Sequence, residues 1–356
     1  MSTSKRIEYI DALRGFTMIL VVALHTYVLC FMDGNVKDYE LSYNIFFGFF
    51  RMPLFYFISG FVFFKDNRDW NSTTLKQFIF SKVRIQLLST FVFFTLFCWL
   101  FQKDIKSSIF NSEKEAYWFT YVLFIFFILY IGIDIITCRL SKKKSFNNFT
   151  IITSFVVGIL LYYSKNNGSL LNILPPQMTT LLSISKWEYF LFFSFGCFIH
   201  KYYVYFLRMQ NLKYVKGLAL FIFVCASICL FYQNINNFIY IHNYILKLIT
   251  ALFGIMLVML LFKDNECHLS NSTKLGNCLQ YIGKRTLDIY LLHYFFLPYN
   301  MSFVGNWLKI YPNPLLEFIL SSSIALIVIV CCLLISKIIR LSPMLTYLLL
   351  GGKKSL

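Results

Sequence analysis

IDALRGFTMILVVALHTYVL, residues 10–29, is apolar and long enough to cross a bilayer, yet it carries an aspartate, an arginine and a histidine. A helix turns about 100° per residue. The eleven steps from Arg14 to His25 therefore return to within about 20° of the starting direction, about 16 Å further along the axis. Asp11, three residues before Arg14, falls on the same stripe and has the spacing of an i,i+3 pair. As a membrane span, the segment sets an ion pair at one mouth and an imidazole deep inside, both facing one way. Ionisable groups are expensive in hydrocarbon, so this arrangement reads as a functional site.

The rest of the chain fits a membrane protein. Apolar residues make up 58% of the 356 residues, with 42 phenylalanines, and charged residues only 14%, against about 25% in soluble domains. The apolar residues come in blocks of spanning length, at about 12–32, 42–64, 87–102, 116–137, 149–163, 186–199, 217–233, 241–262, 286–300 and 315–336. The expected fold is all-α: a polytopic bundle of about ten transmembrane helices, both termini cytoplasmic, forming a single domain over 1–356 with no appended soluble domain. With the N-terminus inside, 23 of the 33 Lys and Arg fall on the cytoplasmic side and 7 in outer loops, counting Lys186 at the outer edge of its span. That asymmetry sets orientation, so the net charge of +17 reports topology and anionic lipid heads, not nucleic acid. Segment 72–86 is expected to lie along the inner surface as an amphipathic helix, and Asp134 and Glu317, near span ends, to be solvated. The ten cysteines form no disulfide framework. Cys267-His268 and Cys278 lack a CxxC partner, so no metal is expected. The first span is not a cleaved signal peptide, because Arg14 and His25 interrupt it.

Three further places carry candidate chemistry. FFGFFRMPLFYFISGF, residues 46–61, puts Arg51 and Pro53 inside span two. Counting from the outer span ends, His25 and Arg51 both lie about 10–14 Å deep. His25 suits proton abstraction from a hydroxyl, and Arg51 suits a developing oxyanion. The competing reading is structural: a histidine hydrogen-bonding between helices, and an arginine meeting carbonyls freed by Pro53. RTLDIYLLHYFF, residues 285–296, sets Tyr290 and His293 one turn apart, which again suits either catalysis or helix bridging. Lys82 and Arg84 form an inner-face basic cluster, for which plain positive-inside charge is the simpler account. Glu188 and Trp118 lie near the outer surface. No P-loop, GxSxG elbow or HExxH motif is present.

In order and spacing, IDALRGFTMILVVALH at 10–25, FRMPLFYFISGF at 50–61, WF at 118–119, GKRTLDIYLLH at 283–293 and SPMLTYLLLG at 342–351 resemble the acyltransferase type 3 family of integral membrane proteins. The resemblance implies transfer of an acyl group, usually acetyl, from cytoplasmic acetyl-CoA to a hydroxyl of an extracytoplasmic or lipid-linked glycan. By matching position, His25 is implied as the catalytic histidine and Arg14, beside Asp11, as part of the acyl-donor site. The family's Arg-x-x-Arg at the start of span three is degraded here to Lys82-Val83-Arg84, which keeps the positive charge but not the spacing. Ser59 of the Ser-Gly pair, Trp118, Glu188, Tyr290 and His293 are expected to face substrate or support the site. The resemblance also implies the bacterial inner (plasma) membrane, contact with membrane lipids, and polysaccharide-assembly proteins as partners. The alternative class is a polytopic transporter or flippase for a polysaccharide precursor or another small anionic substrate. Transporters favour internal repeats and helices broken near the midplane, and only Pro53 clearly interrupts a span here.

Overall fold

The computed structural model describes residues 7–32, 47–65, 70–141, 148–166, 168, 174–210, 212–236 and 243–352. Among these every regular element is helical. The α-helices, in chain order, are α1 (Glu8–His25), α2 (Arg51–Phe63), α3 (Ser72–Lys82), α4 (Ser89–Leu100), α5 (Ile105–Ile109), α6 (Trp118–Ser141), α7 (Asn148–Asn166), α8 (Pro176–Leu181) and α9 (Phe190–Lys201). They continue as α10 (Tyr203–Gln210), α11 (Lys213–Asn236), α12 (Asn243–Asp264), α13 (Lys274–Lys284), α14 (Thr286–Leu292), α15 (Ser302–Ile310), α16 (Pro314–Leu341) and α17 (Pro343–Leu350). Two π turns, Thr26–Phe31 and Val83–Leu88, extend α1 and join α3 to α4.

Among the described residues, six helical stretches are long and apolar enough to cross a membrane, or seven if the pair Ile184–Lys201 and Tyr203–Met209, bent by 85°, counts as one. Two shorter apolar helices, Arg51–Phe63 and Tyr214–Leu230, fall where spans two and seven were expected. Residues 42–46 of span two lie outside the described residues. The expected span at 286–300 is not a continuous helix. Helix α14 stops at Leu292, a 3-10 turn covers His293–Phe295, and the chain is irregular through Leu297 and Pro298. A proline disfavours helix for the residue before it, which is why an apolar run of that length does not span as one rod. The expected surface helix at 72–86 is likewise not separate: Ser72–Leu100 runs as one long stretch through the second π turn. Its N-terminus is set by Asn71 and Thr74, which form a reciprocal capping box. Many large apolar side chains on these helices are exposed, among them Trp99, Ile136 and Ile327, as lipid-facing surfaces require.

The chain divides into two compact units. The first comprises 1–55 and 204–336. At its centre α1 crosses α13 at backbone contact. A Cβ on Gly15 would lie 2.1 Å from the Leu279 carbonyl oxygen, and one on Gly283 would lie 1.9 Å from that of Asp11. Only glycines permit such an approach, the device by which apolar helices pack without a solvent-driven hydrophobic effect. Helix α13 is one-sidedly apolar and capped by Thr273, whose hydroxyl accepts from the Gly276 N–H at 3.0 Å. The Glu8 carboxylate, at the start of α1, accepts from the Asn271 N–H at 3.0 Å and ties down the loop before α13. Leu13, Met18, Val22, Ala23, Ile255 and Leu291 are fully buried in this unit.

The second unit comprises 56–203 and 337–356. Phenylalanine fills it: Phe193 packs against Phe63, Phe126, Phe127 and Tyr130. Helices α2 and α9 repeat the glycine crossing, Gly60 against the Phe193 carbonyl and Gly196 against that of Phe57, each at 2.0 Å from a built Cβ. Asp134 is 1% exposed, so it is not solvated as expected; it accepts from the Thr150 hydroxyl at 2.9 Å, and Thr150 meets Thr137 at 2.7 Å. Distance from a span end did not predict exposure because hydroxyls on the neighbouring α7 take the place of water. Glu317, in the first unit, is also buried, at 6% exposed.

Lys114, in the loop before α6, borders an apolar cavity of about 280 Å³ lined by Leu87, Phe94, Tyr117 and Leu181. Its ammonium donates to the carbonyls of Ile109 at 3.0 Å and Thr180 at 3.2 Å. Burial pushes its pKa down from 10.5 to about 8. Between those values the unfolded chain binds more protons than the folded one, so stability rises with pH through that window. Lys114→Met is expected to remove this rise. Thermal unfolding in detergent from about pH 8 to pH 10.5 checks it, and an equal rise in both proteins would contradict it.

Candidate active site

The first unit holds six of the residues singled out from sequence: Asp11, Arg14, His25, Arg51, Tyr290 and His293. The Arg14 Nη2 donates to the Thr286 hydroxyl at 3.1 Å, at the start of α14. The His25 Nδ1 lies 2.8 Å from the His293 Nε2, just past the end of α14. Both side chains therefore meet the same short element, as a shared face of α1 requires. The partners occur in the same order along each helix, so α1 and α14 run parallel here. Eleven residues of α1 cover about 16 Å and seven of α14 about 10 Å; the long arginine side chain spans the difference.

Both histidines sit where the helix changes type. Helix α1 passes from α to π between His25 and Thr26, and α14 gives way to a 3-10 turn at His293. Such irregular turns re-aim side chains and recur at functional sites. The two imidazoles lie edge to edge and nearly coplanar, with centroids 5.0 Å apart and planes 12° apart, as a direct contact between ring nitrogens requires. The 3-10 turn brings Tyr294 alongside, its hydroxyl 3.3 Å from each nitrogen of His25. Tyr294 is itself held by Tyr299, whose hydroxyl donates to the Tyr294 carbonyl at 2.7 Å. Tyr290 is buried, its ring 6.2 Å from that of His293. His293 is fully buried and His25 half-buried, so of the two only His25 has an open side.

Arg51 is buried, at 5% exposed, and its Nη1 donates to the Leu20 carbonyl at 3.4 Å. This bond ties α2 to α1 five residues before His25, about 7–8 Å along the axis. Pro53 is the third residue of α2, in the first turn, where its missing N–H has no acceptor within the helix to lose. Asp11 is buried at the α1–α13 crossing. Asp288 accepts from the Ser336 hydroxyl at 2.5 Å and from Arg285 at 3.4 Å, a closed polar knot beneath the histidines.

The second unit holds Ser59, Lys82, Arg84, Trp118 and Glu188. Lys82 sits 4.5 Å over the Phe127 ring. Arg84, on the second π turn, lies 5.1 Å over the Tyr347 ring of α17, and its Nε is buried with no hydrogen-bond partner among the described residues. The tail helix is seated there by Gly351, whose φ of +64° ends α17 and whose backbone abuts Ile85. Ser59 is half-buried, next to the Gly60 crossing. Trp118 stacks on Tyr189 at 5.9 Å, Tyr189 stacks on Tyr56 at 5.2 Å, and Lys186 caps the Trp118 face at 4.7 Å. Lys186 also pairs with Glu113 at 2.5 Å, and Glu188 with Lys165. Trp118 is thus part of an aromatic stack with a cation on its face.

Two contact residues were not singled out from sequence. Thr286 stands inside the quoted GKRTLDIYLLH, but a lone threonine in an apolar run gives no signal. Tyr294 adjoins His293, and helical spacing of either kind turns neighbours well apart, so periodicity gave no sign that both would reach His25.

The sequence pattern described as an acyltransferase domain, that of the acyltransferase type 3 family, matches residues 7–336. No curated protein and no solved structure matches the chain. The matched stretch covers nearly the whole chain and includes His25 and His293, so the chain belongs to the acyltransferase type 3 family of membrane acyltransferases.

Proposed function

We propose that the protein moves an acetyl group from cytoplasmic acetyl-CoA to a hydroxyl of a glycan or lipid-linked saccharide outside the membrane. The observation that carries this reading is the pairing of α1 with α14: a cation and an imidazole on one face of α1, their backbone positions about 16 Å apart along the axis and their contacts on α14 and its closing turn about 10 Å apart. Coenzyme A has an anionic head and a long thin arm ending in a thioester, which such a spacing suits. Arg14 takes the anionic side of the donor through charge-assisted hydrogen bonds. His25 accepts the proton of the acceptor hydroxyl as its oxygen attacks the thioester carbonyl. The C–O bond forms, the C–S bond breaks, and the proton passes from His25 to the leaving sulfur. Arg51, a fixed positive charge in a buried setting, opposes the negative charge that gathers on the carbonyl oxygen.

Lys82 and Arg84 are assigned to donor phosphates on evidence from their own unit. Arg84 has a buried guanidinium nitrogen without an acceptor among the described residues, and its guanidinium lies over the Tyr347 ring. With the N-terminus inside, the start of Ser72–Leu100 falls on the cytoplasmic side, where the donor is. The bacterial plasma membrane and polysaccharide-assembly partners belong to the same reading.

Purified protein in detergent should gain thermal stability with acetyl-CoA, and Arg14→Ala should abolish the gain. Cells lacking the protein should lose an acetyl mass increment from a surface glycan. A stability gain that survives Arg14→Ala removes Arg14 from the donor site. Unchanged glycan masses would rule out the glycan acceptor.

A further inference from the structure

Carbonyl oxygens accept hydrogen bonds and never donate them. The His293 Nδ1 lies 3.0 Å from the Ile289 carbonyl oxygen, one turn back on α14, so that nitrogen carries a hydrogen. A neutral imidazole has one N–H, which leaves the His293 Nε2 with its lone pair. That nitrogen faces the His25 Nδ1 at 2.8 Å, so His25 donates from Nδ1. The lone pair of His25 is therefore on Nε2. No carboxylate among the described residues contacts either ring, and His293 is fully buried, so a neutral His293 is the form that fits.

We infer that His293 is a positioning residue that holds His25 in its Nδ1–H tautomer, with Nε2 as the proton-accepting nitrogen. The inference rests on the reading of His25 as the base in acyl transfer, and deepens it. Free histidine in water favours the opposite tautomer, with the hydrogen on Nε2, so an unassisted His25 would turn its lone pair toward Nδ1. The ordinary solution is a carboxylate behind the imidazole. Here a second histidine takes that place, and a backbone carbonyl fixes that histidine in turn. A neutral partner suits a low-dielectric interior, where a buried carboxylate is costly. The near-coplanar geometry, with planes 12° apart, lets the His25 N–H point straight at the His293 lone pair. In the reaction the hydroxyl proton arrives at Nε2, giving an imidazolium that still donates from Nδ1 to His293. The same proton leaves from Nε2 to the thiolate sulfur.

The test uses the full chain in detergent with 15N-labelled histidine, His25 being assigned by comparison with His25→Gln. Wild type is expected to show His25 protonated at Nδ1 and bare at Nε2. In His293→Leu the hydrogen should move to Nε2, and kcat should fall by about 100-fold while KM for acetyl-CoA stays within about twofold. His293→Gln places an amide oxygen near the Nε2 position, so it accepts from the His25 Nδ1–H. It should keep the wild-type tautomer and recover kcat to within about tenfold of wild type. A wild-type spectrum with hydrogen on Nε2 overturns the inference, whether or not the variants fold. So does a His293→Gln protein with wild-type melting and kcat no better than His293→Leu, since packing alone would then explain the position. The spectra need no substrate: full activity in His25→Ala would sink the proposed reaction yet leave the tautomer to be judged separately.

Discussion

His25→Ala is expected to lower acyl transfer by at least about 100-fold, the lower end of what a positioned base contributes. Binding of acetyl-CoA should be kept, because Arg14 anchors to Thr286 well away along α1. The signature is a fall in kcat with KM nearly constant. The substitution removes a half-buried ring, so the fold should lose little. The loss is partly offset because alanine is the better helix former. His25→Gln is the stricter comparison. Glutamine fills the space and can donate toward the His293 Nε2, but cannot take a proton at neutral pH. It should be as inactive as alanine. If His25→Gln turns over at the wild-type rate with wild-type melting, the histidine is a bridge between helices and the base lies elsewhere.

The sequence made the α1 side of this site readable because residues 14–25 are α-helical throughout, so simple periodicity placed Arg14 and His25 together. Beyond His25 the same arithmetic fails. The helix widens to a π turn there, so residues past His25 no longer follow α-spacing. The partners of α1 were readable only as types of residue. His293 stood out as a histidine in an apolar run, but nothing local tells which of two distant histidines meets the other. The long apolar run at 286–300 hid a break that Pro298 marks, and His293 and Tyr294 stand at that break, both in contact with His25. Asp134 and Glu317 were misjudged for a related reason: burial depends on what the next helix supplies, and Thr150 belongs to a different helix from Asp134. The Gly60 crossing explains the Ser-Gly pair by packing, with Ser59 half-buried beside it.

Gly283→Val is expected to damage both stability and catalysis, although residue 283 touches no substrate in the proposed mechanism. A Cβ there would lie 1.9 Å from the Asp11 carbonyl oxygen and 3.1 Å from the Gly15 nitrogen, both backbone atoms that cannot swing aside. The helices must separate, and their close Cα–H to carbonyl approach goes with them. Overpacking of this kind costs about 1–3 kcal/mol, and more where backbone must move. The functional effect follows from connectivity. Only Arg285 separates α13 from α14, so a displaced α13 carries Thr286 and His293 away from Arg14 and His25. Both ends of the site should suffer together: weaker acetyl-CoA binding through Arg14 and a lower kcat through His25. Gly132→Ala on α6 is the control, because nothing lies within 4 Å of its built Cβ. It should melt at or slightly above the wild-type temperature, as alanine favours helix over glycine by about 0.5–1 kcal/mol. Differential scanning fluorimetry with and without acetyl-CoA, together with steady-state kinetics, reads all of these effects. Wild-type melting and turnover in Gly283→Val would mean that α1 and α13 do not cross at backbone contact, and that the register joining Arg14 to Thr286 and His25 to His293 is set by something else.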